Sequence, residues 1–261
     1  MSEIVLHAKA PAKINLALDI LGKRPDGYHD LKTVMASVSL YDDLAITLTP
    51  CEAGAETFTA RAEGVEGDNL AALAAGLFMK HCPGWGVHID IEKRIPVSAG
   101  LGGGSSDAAA VLRALNEWHP IPEEALRALA PAIGSDVPYC LHGGVCMAEG
   151  RGEVLTPLGP LPDCQIVLVT PPITVSTAEA FRRFDKKGAP PWPGGNDFED
   201  ILQIPAVTKL KQALRAAGAS NAMMSGSGPT VFGIFHDQKR AETAFDTLRA
   251  QFPKTYLTAP V

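Results

Sequence analysis

Four glycines, Gly100, Gly102, Gly103 and Gly104, are followed at once by Ser105 and Ser106. Glycine lets a backbone turn tightly and bring its N–H groups close to an anion, and a helix opening behind such a turn adds free N–H donors and its positive dipole end. Ala108, Val111, Leu112 and Leu115 fall at the i, i+3, i+4, i+7 spacing of a buried helical stripe. That spacing predicts a helix beginning at Ser105 or Ser106. The chemistry such a segment suits is polyphosphate binding; a glycine linker with a capping serine is the plainer alternative. Two better-known phosphate loops are excluded. No lysine follows the glycines as a Walker A loop requires, and the sixth position from Gly100 is Ser105, not the glycine of a dinucleotide fingerprint.

The elements that must hold this loop can be read from periodicity. Just before it, Val87, Ile89 and Ile91 alternate with His88, Asp90 and Glu92, as in a strand with one buried side. The first 65 residues alternate in the same way, predicting strands at 4–8, 14–21, 34–40, 44–49 and 57–61, after which Asp68 or Asn69 caps a helix running to about His81. Beyond the loop, a short helix at 122–129 leads to a Gly134-Ser135-Asp136 turn and strands at 137–142 and 145–149. The proline-rich stretch 155–163 marks the expected boundary between domains 1–154 and 155–261. The second half reads as a strand at 166–170, a helix at 177–184, a Pro/Gly loop at 188–195, a helix at 207–217, a strand at 231–235 and a last helix with Ala241, Ala244, Phe245 and Leu248 as its buried stripe. The class is α+β.

Composition removes whole functions. A net charge of −6 with no Lys/Arg block lacks the footprint of a nucleic-acid binder. Five cysteines without a CxxC pair, and seven histidines without an HxxxH pair, argue against a disulfide framework and a dedicated metal site. Apolar runs fall short of the roughly 20 residues a bilayer crossing needs, and the opening MSEIVLHAKAPAK does not read as a secretion signal. A cytoplasmic protein without membrane or nucleic-acid partners, monomeric or weakly dimeric, is expected.

GLGGGSSDAA, preceded by Pro96, resembles the nucleotide loop of the GHMP kinases. Pro11 to Leu31 (PAKINLALDILGKRPDGYHDL), Gly134 to Tyr139 (GSDVPY), NDFE at Asn196 to Glu199 and MSGSGPTVFGIF at Met224 to Phe235 resemble further family motifs, in the family's order. The GYH and NDFE elements resemble the branch that phosphorylates the C2 hydroxyl of a cytidyl-diphosphate-linked methylerythritol, on the non-mevalonate route to isoprenoid precursors. The resemblance implies a two-domain GHMP kinase fold with the active site in the cleft between domains, ATP as phosphoryl donor and Mg²⁺ arriving with it. Between motifs, as at 51–67 and 184–195, the match is loose and assigns nothing.

By that resemblance Asp136 takes the proton of the substrate hydroxyl and Lys13 pairs with it, where each alone would read as a surface charge or structural ion pair. Asn15, on the same strand face as Lys13, orients the substrate. The nucleotide falls to Lys93 (or Arg94), Pro96, Gly100, Leu101, Gly102, Gly103, Gly104, Ser105 and Ser106, though helix capping explains the serines equally well. Tyr28 stacks on cytosine, His29 reads its polar edge by side chain or backbone, Phe181 covers the other face and Thr177 meets the substrate phosphates. Gly226 and Gly228 bring a second loop close to the phosphates or substrate. The rivals are a GHMP kinase for homoserine, mevalonate or a sugar, which has no use for GYH, and a non-catalytic nucleotide-binding regulator, which has little use for both Lys13 and Asp136.

Overall fold

A computed structural model describes residues 2–52, 54–65, 67–188 and 195–261. The chain forms two compact units, one from Met1–Ala12, Tyr41–Val97 and Gly102–His142, the other from Lys13–Leu40, Ser98–Leu101 and Gly143–Val261. Two long strands, β1 (Ile4–Lys23) and β2 (His29–Pro50), contribute to both. Each fuses a pair of strands expected separately. Pro11 does not break β1, because β1 pairs with β2 alone among the named strands and an edge position tolerates a missing donor. Polar Asp42 does not break β2, because its fully buried carboxylate accepts the backbone N–H groups of Arg94 and Ile95.

In the first unit β3 (Phe58–Ala62) is followed by α1 (Leu70–Phe78), whose N-cap Asn69 accepts from the Ala71 N–H, and by a 3₁₀ turn to His81. Strand β4 (Trp85–Glu92) pairs antiparallel with residues 43–50 of β2 and parallel with β3. Its buried face is Trp85, Val87, Ile89 and Ile91, as the alternation predicts. Helix α2 (Gly103–Trp118) packs on α1 and carries the expected stripe Ala108, Val111, Leu112 and Leu115. Helix α3 (Glu123–Ile133) runs four residues beyond the expected end; Leu126, Ala130 and Ile133 continue its buried stripe, and Pro131 in its last turn costs at most one backbone bond. Residues 137–142, expected as a strand, form α4 (Val137–His142). Val137 and Cys140 bury themselves at helical spacing after the Gly134–Asp136 turn, whose carbonyls accept from both their N–H groups.

In the second unit residues 31–36 of β2 pair with β5 (Val145–Gly150), and β5 with β6 (Val154–Pro157). A cut at 154/155 would fall inside β6. A second, antiparallel sheet comprises β7 (Gln165–Val169), β8 (Asn221–Met224), β9 (Val231–Phe235) and β10 (Thr255–Thr258), in the order β10-β7-β9-β8. Helices α5 (Thr177–Lys187), α6 (Asp197–Leu202), α7 (Pro205–Ala216) and α8 (Gln238–Arg249) complete the unit. Its core joins Leu18 and Ile20 of β1 to Val167, Phe198, Leu210, Met224, Phe235 and Leu248. Strands β6, β8 and β10 have four residues each, too short to announce themselves by alternation. The expected Pro/Gly loop lies, at 189–194, outside the described residues. Among the described residues no helix is long and apolar enough to cross a membrane.

Candidate active site

The glycine segment meets a second glycine-rich loop backbone to backbone. Gly100 sits at φ +79°, and a Cβ there would lie 2.1 Å from the Ser225 carbonyl oxygen and 3.0 Å from the Gly228 nitrogen. Only glycine permits both that torsion and that approach. Ser225 Oγ donates to the Gly100 carbonyl at 2.9 Å and accepts from the Asn15 N–H at 3.2 Å. The Lys13 N–H donates to the Leu101 carbonyl, and the Thr230 N–H to that of Ala99. Gly226 and Gly228 have φ of +54° and +84°, and a Cβ on Gly226 would touch Asn15 Oδ1 and the Gly100 carbonyl, each at 3.3 Å. The close approach expected of these two glycines is therefore made to β1 and to the first loop.

Helix α2 starts at Gly103, earlier than Ser105, because Gly102 takes the left-handed N-cap conformation at φ 68°. No side chain caps it and its first turn has no acidic residue, so the N–H groups of Gly103, Gly104 and Ser105 open a helix end of positive potential. Ser105 is half-buried there. Ser106, expected at the phosphate, is instead fully buried with its hydroxyl donating to the Pro11 carbonyl at 2.7 Å. Gly103 has ordinary helical torsions. A Cβ on it would crowd Ile95 at 3.1 Å and Lys93 Nζ at 3.2 Å, so its constraint is space and not φ. Pro96 is buried just before the loop.

Lys93 departs from its expected role. Its ammonium lies under the loop, 2.5 Å from Asp42 Oδ2 and 2.7 Å from Asp107 Oδ2. Burial works against its charge, but Asp107 and Asp42 outweigh burial and raise its pKa. Burial likewise pushes the Asp107 carboxyl up to about 7 against the pull of Lys93, and Asp107 Oδ1 has no hydrogen-bond partner among the described residues. Asp42 Oδ1 accepts from the Arg94 and Ile95 N–H groups at 2.6 and 2.8 Å, tying down the chain that enters the loop. The charge of Lys93 is thus met by two carboxylates. Arg94 is half-exposed and paired with Asp43 and Glu92.

Lys13 and Asn15 share one face of β1, as their spacing requires. The buried Lys13 ammonium donates to Asn15 Oδ1 at 2.7 Å, and Asn15 Nδ2 donates to Thr33 Oγ1 at 2.9 Å, which fixes the amide orientation. Asp136, half-buried, ends the turn that starts α4, and its carbonyl accepts from the Cys140 N–H.

Around residues 28 and 29, Tyr28 is exposed, with the Arg151 guanidinium 3.7 Å from its ring centroid. His29 is buried, stacked on Phe181 at 4.4 Å and meeting Phe184 edge-on. Its Nε2 lies 2.7 Å from Asp185 Oδ1, while Lys23 holds Asp185 Oδ2 at 2.5 Å. Lys23 first, then His29, lower the Asp185 pKa. One polar edge of His29 is therefore already taken, and one face of Phe181 is covered by His29. Thr177 Oγ1 bonds Ser227 Oγ at 2.7 Å, joining α5 to the second glycine loop. Arg151 and Asp185 were missed from sequence. For Asp185 a signal existed: it falls four residues after Phe181 on one helix, so the two share a face.

Comparison with known proteins agrees with these motifs. The chain matches the family described as GHMP kinases N terminal domain over residues 69–144, and GHMP kinases C terminal over 195–254. It is 40% identical to the 4-diphosphocytidyl-2-C-methyl-D-erythritol kinase of Lachnoclostridium phytofermentans, over 92% of this chain and 91% of the relative. It is 44% identical to the protein of the same name from Pelotomaculum thermopropionicum, over 91% of this chain and 92% of the relative. A crystal structure of 4-(cytidine 5'-diphospho)-2C-methyl-D-erythritol kinase superposes with a TM-score of 0.82 at 36% identity, covering 98% of this chain and 99% of that one. Homoserine kinase from Cytophaga hutchinsonii, at 17% identity and a TM-score of 0.73 over 98% of this chain and 95% of that one, shares the fold.

Two substitutions test this geometry. Gly100→Ala drives a methyl group into the Ser225 carbonyl and strains φ, so kcat/KM should fall by about 10²-fold or more and the melting temperature should drop. Gly104→Ala, whose Cβ would meet nothing nearer than Leu70 at 4.0 Å, should melt within a few degrees of wild type; equal melting of the two variants would contradict the close approach. Asp107→Asn distinguishes a structural Lys93 from a phosphate-binding one. If Lys93 props the loop, KM for ATP rises; a lowered KM would mean that the freed ammonium reaches the phosphates.

Proposed function

The chain belongs to the GHMP kinases, in the branch of the 4-diphosphocytidyl-2-C-methyl-D-erythritol kinases, and from that premise we propose how its own residues perform the reaction. The enzyme transfers the γ-phosphoryl group of ATP to the C2 hydroxyl of 4-diphosphocytidyl-2-C-methyl-D-erythritol, giving the 2-phosphate and ADP. The observation that carries this reading is the identity of 40, 41 and 44%, over nine-tenths of both chains, with enzymes of that one name.

Phosphoryl transfer asks the protein mainly for positioning and charge compensation, since the transition state is loose. The N–H groups of Gly103, Gly104 and Ser105 and the dipole of α2 receive the ATP phosphates, and their fit is supported by an open helix start with neither a capping side chain nor an acidic residue in its first turn. Gly100, Leu101 and Gly102 shape the backbone that leads there. Mg²⁺, arriving with the nucleotide, would supply further charge neutralisation. Asp136 accepts the proton of the C2 hydroxyl as the new O–P bond forms, and Lys13, fixed by Asn15, favours the negative charge on the attacking oxygen.

The cytosine end falls to Tyr28, His29 and Phe181, with Thr177 directed to the substrate phosphates through the second loop. A carboxylate can only accept, so Asp185 requires the proton of His29 to sit on Nε2; in the neutral ring Nδ1 is then an acceptor. An acceptor suits the amino group of cytosine and rejects the carbonyl that uracil presents at the same position. This gives Asp185 a part in base selection.

Release of ADP, measured with the cytidyl substrate and with homoserine, mevalonate and simple sugars, should be strong for the first alone; comparable release with another alcohol would overturn the assignment. Asp136→Asn cannot take the proton, and kcat should fall by roughly 10²- to 10⁴-fold; a loss below about tenfold would remove Asp136 from the base role. The wild type should discriminate against the uridyl analogue by orders of magnitude in kcat/KM. Asp185→Leu releases the tautomer and should shrink that ratio at least tenfold. An unchanged ratio would transfer base reading to the His29 backbone.

A further inference from the structure

The NDFE segment, distinctive in the sequence, has no part in the chemistry above, yet Asn196 and Asp197 are buried, Glu199 is partly buried, and all three side chains are hydrogen-bonded. Asn196 is 3% exposed. Its Nδ2 donates to the carbonyls of Met224 and Gly226 at 2.7 and 2.8 Å, and its Oδ1 accepts from the Phe198 and Glu199 N–H groups at 3.0 and 3.4 Å. Both hydrogens and both lone pairs of the amide are spent. A flipped amide would set like against like at all four contacts, and an aspartate would face two carbonyls with acceptors only. Glu199 adds a second hold, accepting from the Met224 N–H at 3.0 Å while Lys211 neutralises its other oxygen.

The same segment is bonded to the strand that carries Lys13 and Asn15. The Leu18 N–H donates to the Gly195 carbonyl at 2.8 Å, and the Ile20 N–H to Asp197 Oδ2 at 2.7 Å. The hydrogen bonds therefore close a ring: from Asn196 to the loop at 224–226, through Ser225 to the Asn15 N–H, along β1 to Leu18, and back through Gly195. Asn15 in turn holds the Lys13 ammonium.

We propose that Asn196, seconded by Glu199, is a positioning residue of the phosphoryl transfer: it fixes the second glycine loop against β1 and thereby the place of Asn15 and Lys13. This rests on the reading of Lys13 and Asn15 given above. Asn196 acts through other residues and touches no substrate. A merely structural asparagine would lower stability and leave turnover per folded molecule unchanged. A positioning one lowers kcat while ATP affinity, set by the start of α2, stays as it was.

The test is Asn196→Asp in the full chain, with circular dichroism for folding, calorimetric titration of ATP, and kcat with the cytidyl substrate between pH 5.5 and 8. At pH 8 kcat should fall by about 10²-fold, the scale of a misplacement near 1 Å, with ATP affinity within about threefold of wild type. On lowering the pH the introduced carboxyl gains a proton, can donate to one of the two carbonyls, and its kcat relative to wild type at the same pH should recover several-fold. Should Asn196→Asp fail to fold, Asn196→Ala, which removes the donors without adding a charge, should show the same split between kcat and ATP affinity. Turnover per folded molecule within twofold of wild type, or ATP affinity falling as far as kcat, would overturn the proposal. A wild type that does not phosphorylate the cytidyl substrate would instead bring down the functional reading, and this inference with it.

Discussion

The approach of Gly100 to the Ser225 carbonyl constrains everything around it. At that distance no side chain fits, so the first glycine loop can only run where the second loop leaves room, and the two are stitched by Ser225. The strand with Lys13 and Asn15 is drawn into the same junction through the Lys13 and Asn15 backbone N–H groups. Phosphoryl transfer gains mainly from fixed geometry, and a junction of backbone atoms is a stiff way to provide it. Glycine serves here less as a source of flexibility than as the residue that lets two chains touch.

Charge is handled differently on the two sides of the glycine loop. Beneath it, Lys93 is paired with Asp42 and Asp107 where both carboxylates are buried, an arrangement whose loss of one partner costs roughly 3–5 kcal/mol because a charge is left stranded. One ammonium between two carboxylates leaves a surplus negative charge, which burial relieves by lifting the Asp107 pKa to about 7. At the loop surface the positive potential comes from backbone N–H groups, which need no counter-ion and cannot fold away.

Much of this was legible in the sequence because it is local. Alternation located the strands around residues 4–61 and 85–92, the glycine spacing located a tight loop that opens a helix, and the spacing of Lys13 and Asn15 placed them on one face. What was not legible depends on partners far along the chain. Lys93 reads as a phosphate ligand until Asp42, 51 residues earlier, is found beside it. His29 reads as a free base-reading edge until Asp185 is found 156 residues later. Strand continuity at Asp42 turned on the same cause, since its carboxylate is met by the Arg94 and Ile95 N–H groups more than fifty residues away, whereas the helix at 137–142 is started by the carbonyls of the adjoining Gly134–Asp136 turn. The start of α2 was misplaced by local physics alone, since glycine at Gly102 can cap a helix by torsion where serine was expected to do so by hydrogen bonding.

The central claim is that this chain moves one phosphoryl group from ATP to one hydroxyl of a cytidyl-diphosphate alcohol. Phosphorus NMR of the product mixture, with the site of attachment read from carbon–phosphorus coupling, tests it most directly. The expected spectrum gains a single phosphomonoester at C2 of the methylerythritol unit, in equal amount to ADP. ADP and free phosphate without a new ester on that substrate, or an ester on another hydroxyl, would contradict the account.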